Sequence, residues 1–370
     1  MIRRLLRDEG LRAAVPGWLL ARIGVAVGFV VAHIGADKLT PGARPLQLDQ
    51  GLFAWDAAFY RDIADYGYHG IAQEGLRFFP LLPLAARVVA VPLLGNVGIA
   101  SVLIVQIAAL VAGVLLYRLA VAETGDRSTG VRAAWLLAVL PPATVLVLGY
   151  AESLLLCFAI GFFWCIRRDR WWAAAALGVL AGLSRPVGMT LAVPALIEAV
   201  RIGRSLRWRA WWGRAAAIAG PLLGGGMFLA WVEHEYGDWQ LPLRLQNSAD
   251  LRGGWANPLE TVWHAVDALT SQQWREGLHV PWILVFGVLL VVAFRRLPVS
   301  YGAWSAVLLL SALTGQTLGS FERYGLAAFP LVLALALVVR PPALERAALT
   351  ACGAALSGFA ALLFLGTFVP

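Results

Sequence analysis

Residues 150–188 read YAESLLLCFAIGFFWCIRRDRWWAAAALGVLAGLSRPVG, a pattern that recurs along the whole chain. Two apolar segments, 152–166 and 171–183, flank the arginine-rich turn RRDR, and polar residues stand at both outer ends. Apolar segments separated by short charged turns are typical of helices that cross a bilayer, where each segment must satisfy its own backbone hydrogen bonds. The stretch therefore predicts an all-α polytopic membrane protein.

The composition extends this prediction to all 370 residues. The chain is 60% hydrophobic and 14% charged, whereas soluble domains average roughly 45–50% and 25%. Apolar segments recur from residue 15 to residue 367 without a long polar block, so we expect one transmembrane domain over residues 1–370. The net charge of +8 comes from arginines in short loops. Arginines in such loops set the orientation of the chain in the bilayer and contact membrane lipids. We therefore expect membrane lipids as partners and no binding of nucleic acid.

Hydrophobicity predicts about eleven membrane-crossing segments. They are 15–35, 97–118, 132–148, 152–166, 171–183, 187–200, 215–232, 281–294, 300–318, 326–340 and 347–367. Several are shorter than the roughly 20 residues that a crossing needs, so their ends extend into flanking residues or some are re-entrant. The first segment is longer than the core of a cleavable signal peptide and is expected to remain as a helix.

The distribution of basic residues predicts the orientation. With the N-terminus in the cytoplasm, most of the 30 lysines and arginines lie on the cytoplasmic side and most of the 22 acidic residues lie outside. A multi-pass protein of the cell membrane follows. The segment 78–95 contains three prolines and Arg87, and counting it as a crossing would abolish the charge bias. We therefore interpret it as a juxtamembrane helix on the outer face.

Four polar clusters then fall on the outer side of the membrane. They are residues 55–68 in the first outer loop (36–96), GYAES at 149–153, SRPVG at 184–188 and SFERYG at 320–325. Polar residues at the ends of membrane helices are costly unless they serve a cavity or a partner. A shared outer cavity is expected. The large outer loop 233–280 carries no motif and is a possible acceptor region.

The first cluster, WDAAFYRDIADYGY at 55–68, has helical spacing. Asp56, Tyr60 and Ile63 share one face, and Arg61 and Asp65 form an i, i+4 ion pair on another. Asp56 stands where the helix starts, so its carboxylate either caps the helix or projects into the cavity. Spacing alone leaves both alternatives open.

These segments resemble PIG-V-like mannosyltransferases, the family of GPI mannosyltransferase II and its bacterial relatives. WDAAFYRDIADYGY and RFFPLLPL are similar to the family's W-D-x-x-x-Y-x-x-I-A-x-x-G-Y and F-F-P-x-x-P-L motifs. YAES, SRPVG and FERYGLAAFP resemble its Y-x-E-S, T-R-P-x-G and R-Y-x-L-x-x-F-P segments, with Ser184 where threonine is commoner. The matches run in order from residue 53 to residue 336.

The resemblance implies a GT-C type glycosyltransferase, a helical bundle whose first outer loop carries the essential acid. That acid maps onto Asp56. The implied donor is polyprenyl phosphate mannose, and the implied acceptor is a lipid or glycan of the cell envelope. In this mechanism Asp56 acts as general base on the acceptor hydroxyl, and the anomeric carbon inverts.

Departure of the lipid phosphate requires positive charge, for which a guanidinium is suited. Arg323, beside Tyr324, is the leading candidate for donor phosphate binding; its alternative is an ion pair with Glu322 or a lipid headgroup. Arg185 is the second candidate, and a structural role at a helix end with Pro186 is the alternative.

Four further residues are candidates for substrate binding, each with a simpler interpretation. Glu152 binds sugar hydroxyls or anchors an arginine such as Arg185. His69 shares a proton near the site or is a bystander in a loop. Trp55 and Tyr60 stack on sugar faces or belong to the interfacial aromatic belt.

We expect no metal and no other cofactor. The acidic pair separated by one residue that holds a cation in some GT-C enzymes is missing after Asp56. The three cysteines, at 157, 165 and 352, lie in apolar segments without ligand spacing and are assigned to packing.

Other function classes fit the sequence less well. A flippase or transporter would carry ionisable residues near the bilayer midplane, whereas the acidic residues here lie in outer loops. A non-catalytic membrane subunit, protein O-mannosylation and transfer of another sugar stay open, because no spacing of polar residues encodes mannose.

Overall fold

The computed structural model describes residues 8–39, 44–201, 208–248, 251–270 and 277–367. Within these ranges the chain is helical and has no strand, apart from an isolated antiparallel bridge between Trp255 and Gly315. The α-helices are Glu9–Leu39, Leu46–Gln50, Asp56–Tyr66, Leu81–Ala90, Val97–Thr124, Arg127–Val139, Glu152–Ile166, Trp171–Ser184, Ala192–Arg201, Trp208–Tyr236, Leu241–Gln246, Pro258–Thr270, Val280–Arg296, Val299–Leu313, Phe321–Ala327, Phe329–Val338 and Pro342–Phe364. The all-α class predicted from the sequence is confirmed.

A helix overlaps each predicted crossing, but the lengths differ. Among the described residues four helices are long and apolar enough to cross a bilayer: Glu9–Lys38, Val97–Thr124, Trp211–Tyr236 and Pro342–Phe364. Phe321–Ala327 and Phe329–Val338 form a pair bent by 78° that would make a fifth crossing. The apolar helices fit an α-helical membrane protein, and the count of eleven stays a prediction.

Two predicted crossings are broken where prolines stand. The segment 132–148 is an α-helix only to Val139 and continues as a 3-10 turn, Pro141–Leu146. The segment 187–200 begins as the 3-10 turn Pro186–Leu191 and becomes α-helical only at Ala192–Arg201. Proline donates no backbone hydrogen bond and disfavours the α conformation in the residue before it, which favours a break at Pro141 and at Pro186, although Pro16 and Pro221 are accommodated inside helices.

The segment 78–95 forms the helix Leu81–Ala90, whose 10 residues span about 15 Å, half the hydrocarbon thickness. One of its faces buries Leu82 and Ala86, while Leu84 and Val88 are exposed. A short helix that exposes apolar side chains on its outer face suits contact with lipid at the membrane surface. Its location there stays a prediction.

The closest helix contact joins Trp171–Ser184 to Trp208–Tyr236. A Cβ added at Gly182 would lie 2.2 Å from the backbone oxygen of Pro221, and one at Gly224 would lie 2.1 Å from that of Val179. Only glycine allows the backbones to approach this closely, as is common between membrane helices. This pair therefore fixes the position of the turn that follows Ser184.

Arg22, the charged residue within the first predicted crossing, is fully engaged by polar partners. Its Nε donates to the side-chain oxygen of Gln106 at 2.7 Å, and its two other nitrogens donate to the carbonyls of Trp18 and Leu146, each at 3.1 Å. A charge inside a membrane helix is tolerated when it pairs within the bundle. Arg22 thus ties the first helix to Val97–Thr124 and to the Pro141–Leu146 turn.

Candidate active site

A cavity of about 1470 Å³ lies where the predicted polar clusters meet. Its walls come from the first loop, the 185–190 turn, the 242–252 segment, the end of Val299–Leu313 and the start of Phe321–Ala327. Side chains from three of the four clusters line it: Trp55, Asp56, Tyr60, Arg185, Arg323 and Tyr324 are among them. The fourth cluster, 149–153, lies behind this wall and supports it.

The backbone at Trp55 and Asp56 is held by contacts with distant parts of the chain. Trp55 has a φ of 59°, uncommon for a residue other than glycine. Its indole nitrogen donates to the carbonyl of Leu363 at 3.0 Å. The backbone N–H of Asp56 donates to the hydroxyl of Tyr150 at 3.2 Å. These contacts fix the start of the helix Asp56–Tyr66.

The structure distinguishes the two alternatives for Asp56. No side chain caps this helix, and the Asp56 carboxylate lines the cavity with 26% of the side chain exposed. One carboxylate oxygen lies 2.6 Å from a terminal nitrogen of Arg323, which donates a hydrogen bond to it. The carboxylate therefore projects into the cavity instead of capping the helix.

The charges around Asp56 set its protonation state. Burial raises the pKa of this carboxyl, but the charge and hydrogen bond of Arg323, followed by the charges of Arg185 and Arg77, lower it by more. The net pKa lies below the ordinary aspartate value. Asp56 is thus held ionised, and an ionised carboxylate can accept a proton.

Glu152 is a buried anchor for two arginines. Its side chain is 1% exposed and is not part of the cavity lining. It forms an ion pair with Arg185, and its Oε1 lies 3.3 Å from Nε of Arg323. The structure therefore places Glu152 behind the cavity wall as a partner of both arginines, which favours the anchoring alternative over the role of a sugar ligand.

The predicted aromatic residues lie in the cavity wall. Tyr60 is 2% exposed and packs edge-on against Phe78, with ring centroids 5.1 Å apart. Trp55 and Tyr324 also line the cavity. The hydroxyl of Tyr324 accepts a hydrogen bond from Arg252 at 3.2 Å, so its ring has a fixed position.

Two residues of the first loop lie apart from their expected partners. His69 is not among the cavity residues; its ring stacks on Tyr236 and lies 3.4 Å from Glu235, on an exposed surface. Arg61 pairs with the adjacent Asp62 at 2.9 Å, and the predicted partner Asp65 is exposed. Solvent-exposed ion pairs are weak, so helical spacing alone does not determine which carboxylate pairs.

Sequence reasoning missed three polar residues of the cavity, namely Arg77, Arg252 and His279. Nδ1 of His279 lies 2.6 Å from Oε1 of Glu322, which is buried behind it. Arg77 directly precedes the FFP motif, a position that could have singled it out. Arg252 belongs to the 233–280 region, where no motif gives a signal. The structure brings that region to the cavity.

A family model matches part of the chain. The model of the family described as mannosyltransferase (PIG-V) matches residues 45–202. The matched range includes Asp56, Arg77, Glu152 and Arg185. No curated protein matches the chain.

Proposed function

We propose that the chain is a PIG-V-like mannosyltransferase, which the family match over residues 45–202 supports, and that it uses polyprenyl phosphate mannose as donor. The acceptor is a lipid-linked or glycan molecule of the cell envelope, and transfer takes place in the cavity on the outer face of the membrane. The observation that carries the proposal is the Asp56 carboxylate, exposed in the cavity wall and hydrogen-bonded to Arg323 at 2.6 Å.

The reaction is an inverting displacement at the anomeric carbon of mannose. The acceptor oxygen attacks this carbon as the bond to the phosphate oxygen breaks, and the phosphate leaves with its polyprenyl chain. Asp56 takes the proton of the acceptor hydroxyl, which requires a distance of about 2.6–3.2 Å in the substrate complex. Its pKa lies below the ordinary aspartate value because of the neighbouring arginines, so the carboxylate is ionised before the acceptor arrives.

The arginines of the wall favour the leaving phosphate. Arg323 and Arg185 line the cavity beside Asp56, and Tyr324 lines it next to Arg323. Guanidiniums held in place by a buried carboxylate can stabilise charge on the departing phosphate without reorganising during the reaction. This supports Arg323, Arg185 and Tyr324 as donor-binding residues.

A donor carried by its own lipid suits an outward cavity, because nucleotide sugars are not available outside the cytoplasm. Apolar side chains in the cavity wall, among them Leu229 and Leu243, provide a surface for a prenyl chain. We also propose that the reaction needs no metal ion, since the arginines supply the positive charge.

Replacement of Asp56 with asparagine tests the proposal. Asp56→Asn removes the proton acceptor while keeping the size of the side chain, so we expect mannose transfer from radiolabelled polyprenyl phosphate mannose to envelope lipids to fall at least ~100-fold. The matched control is Asp65→Asn, on an exposed position of the same helix. Near wild-type turnover of purified, folded Asp56→Asn protein would exclude the role of this carboxylate.

A further inference from the structure

Three guanidiniums act electrostatically on Asp56: those of Arg323, Arg185 and Arg77. Two of them are neutralised by carboxylates in the same wall. Arg323 pairs with Asp56 and Glu152, and Arg185 pairs with Glu152. The three arginines and the two carboxylates, Asp56 and Glu152, together carry one net positive charge. Because the other two arginines are paired, this charge lies on Arg77. A sugar phosphate diester carries one negative charge.

Arg77 is held in the cavity by contacts that leave its charge unpaired. Its guanidinium carbon lies 5.0 Å from the ring centre of Phe78 and 5.7 Å from that of Phe59. The two rings are themselves stacked, with centroids 4.8 Å apart. Nε of Arg77 donates to the backbone carbonyl of Glu74 at 3.1 Å. In the described part of the chain no carboxylate forms an ion pair with Arg77.

The position of Arg77 couples it to the reacting centre. Arg77, Phe59 and Phe78 line the same cavity as Asp56. Burial lowers the pKa of the Arg77 guanidinium, while the charge of Asp56 raises it, so the two groups lie within electrostatic reach of each other. Because Nε of Arg77 donates to a backbone carbonyl, the two terminal nitrogens of its guanidinium can donate to a ligand.

Arg252, the other arginine of the cavity, is engaged differently. Its terminal nitrogens donate to the hydroxyl of Tyr324 and to the carbonyls of Ser311 and Ala312, at 2.9–3.2 Å. Those carbonyls stand at the C-terminal end of the helix Val299–Leu313, where a cation is favourable. Arg252 therefore acts as a helix cap that positions Tyr324.

We propose that Arg77 is a donor-binding residue whose terminal nitrogens contact the phosphate of the lipid-linked sugar. Arg323 and Arg185 also face the phosphate but share their charge with Asp56 and Glu152, and Arg77 adds the positive charge that no carboxylate of the wall pairs with. This inference rests on the proposed function, which identifies the donor as a phosphate-linked lipid.

Ligand binding without turnover tests this inference directly. We would measure binding of a short-chain polyprenyl monophosphate and of the uncharged polyprenol to the full chain in nanodiscs, for wild type and Arg77→Met. Methionine keeps the apolar contact with the two phenylalanine rings and removes the charge. We expect a roughly 10- to 100-fold weaker affinity for the phosphate and unchanged affinity for the polyprenol. Equal weakening for both lipids, or for neither, would overturn the proposal.

Kinetics separate a failure of this inference from a failure of the proposed function. If wild type transfers mannose and Asp56→Asn does not, the proposed function stands, and the donor KM of Arg77→Met then reports on Arg77 alone. We expect this KM to rise, with partial recovery in Arg77→Lys. Arg61→Gln is the matched control, because Arg61 also lies over a phenylalanine ring but is paired with Asp62. An unchanged donor KM in Arg77→Met would contradict the inference.

Discussion

At the residue scale, Asp56 owes its properties to partners far away in the sequence. Arg323, which holds the carboxylate, is 267 residues distant, and Tyr150 fixes the backbone at the same point. The sequence singled out Asp56 through its position after Trp55 and through the family motif. It did not reveal the partner, because several arginines stand in equivalent turns and only folding selects one.

The lowered pKa of Asp56 gives a prediction for the pH dependence. Burial raises this pKa and Arg323 lowers it by more, so the carboxylate stays ionised until the pH falls below the usual aspartate value of about 3.9. We expect kcat/KM of the wild type to show no carboxylate-dependent loss down to about pH 5, measured with the lipid-linked donor.

The Arg323→Gln variant is expected to shift the pH dependence of kcat/KM in the same experiment. Without the guanidinium the effect of burial dominates, the pKa of Asp56 rises, and the acidic limb of the residual activity moves to higher pH. An acidic limb at the wild-type position would show that Arg323 does not control the ionisation of Asp56. The Arg61→Gln variant, whose guanidinium pairs with Asp62, serves as control.

At the element scale, periodicity and hydrophobicity located the helices but not their breaks. The helix Glu152–Ile166 has the bounds of the predicted crossing. The segment 326–340, predicted as one crossing, is helical over Phe329–Val338 and is preceded by the helix Phe321–Ala327, which is bent against it by 78°. Hydrophobicity shows how apolar a segment is but not in which direction it runs, so it gives no signal for the bend that brings Arg323 to the cavity.

The glycine contact between Trp171–Ser184 and Trp208–Tyr236 gives a prediction for stability. Gly224→Ala places a methyl group against the backbone of Val179, which must move, and we expect the free energy of unfolding to fall by about 1–3 kcal/mol. Gly226→Ala is the control two residues along the same helix, where a Cβ would meet no atom within 4 Å. Melting temperatures in one detergent compare them, and equal values would contradict the close approach.

At the scale of the whole molecule, the orientation in the membrane is open to a labelling test. Glu74 is exposed in the first loop, and Arg127, with a side chain 74% exposed, follows the other end of the 28-residue helix Val97–Thr124. We expect a membrane-impermeant maleimide to label Glu74→Cys in intact cells and Arg127→Cys only after permeabilisation. The native cysteines are buried or half-buried. The opposite pattern would invert the proposed topology.

Metal dependence is a second test on the intact protein. Asp56 and Glu152 are each paired with a guanidinium, so neither carboxylate needs a cation for charge balance. We expect full transfer activity in excess chelator, assayed on the purified wild type with the lipid-linked donor. Strict dependence on Mg²⁺ or Mn²⁺ would overturn the proposal of a metal-free reaction.

The sequence by itself determined the helical class, the approximate position of the long apolar helices and the family resemblance, and it singled out Asp56 as the candidate acid. These follow from local properties, since a helix in a bilayer satisfies its hydrogen bonds within its own segment and shows its length in its hydrophobicity. Only the tertiary structure decided which arginine meets which carboxylate. Arg323 and Arg185 share Glu152, and Arg77 forms no ion pair with any residue that the structure describes. Such pairing depends on distances of a few ångströms between side chains that are remote in the chain. The order of residues in the sequence does not give these distances.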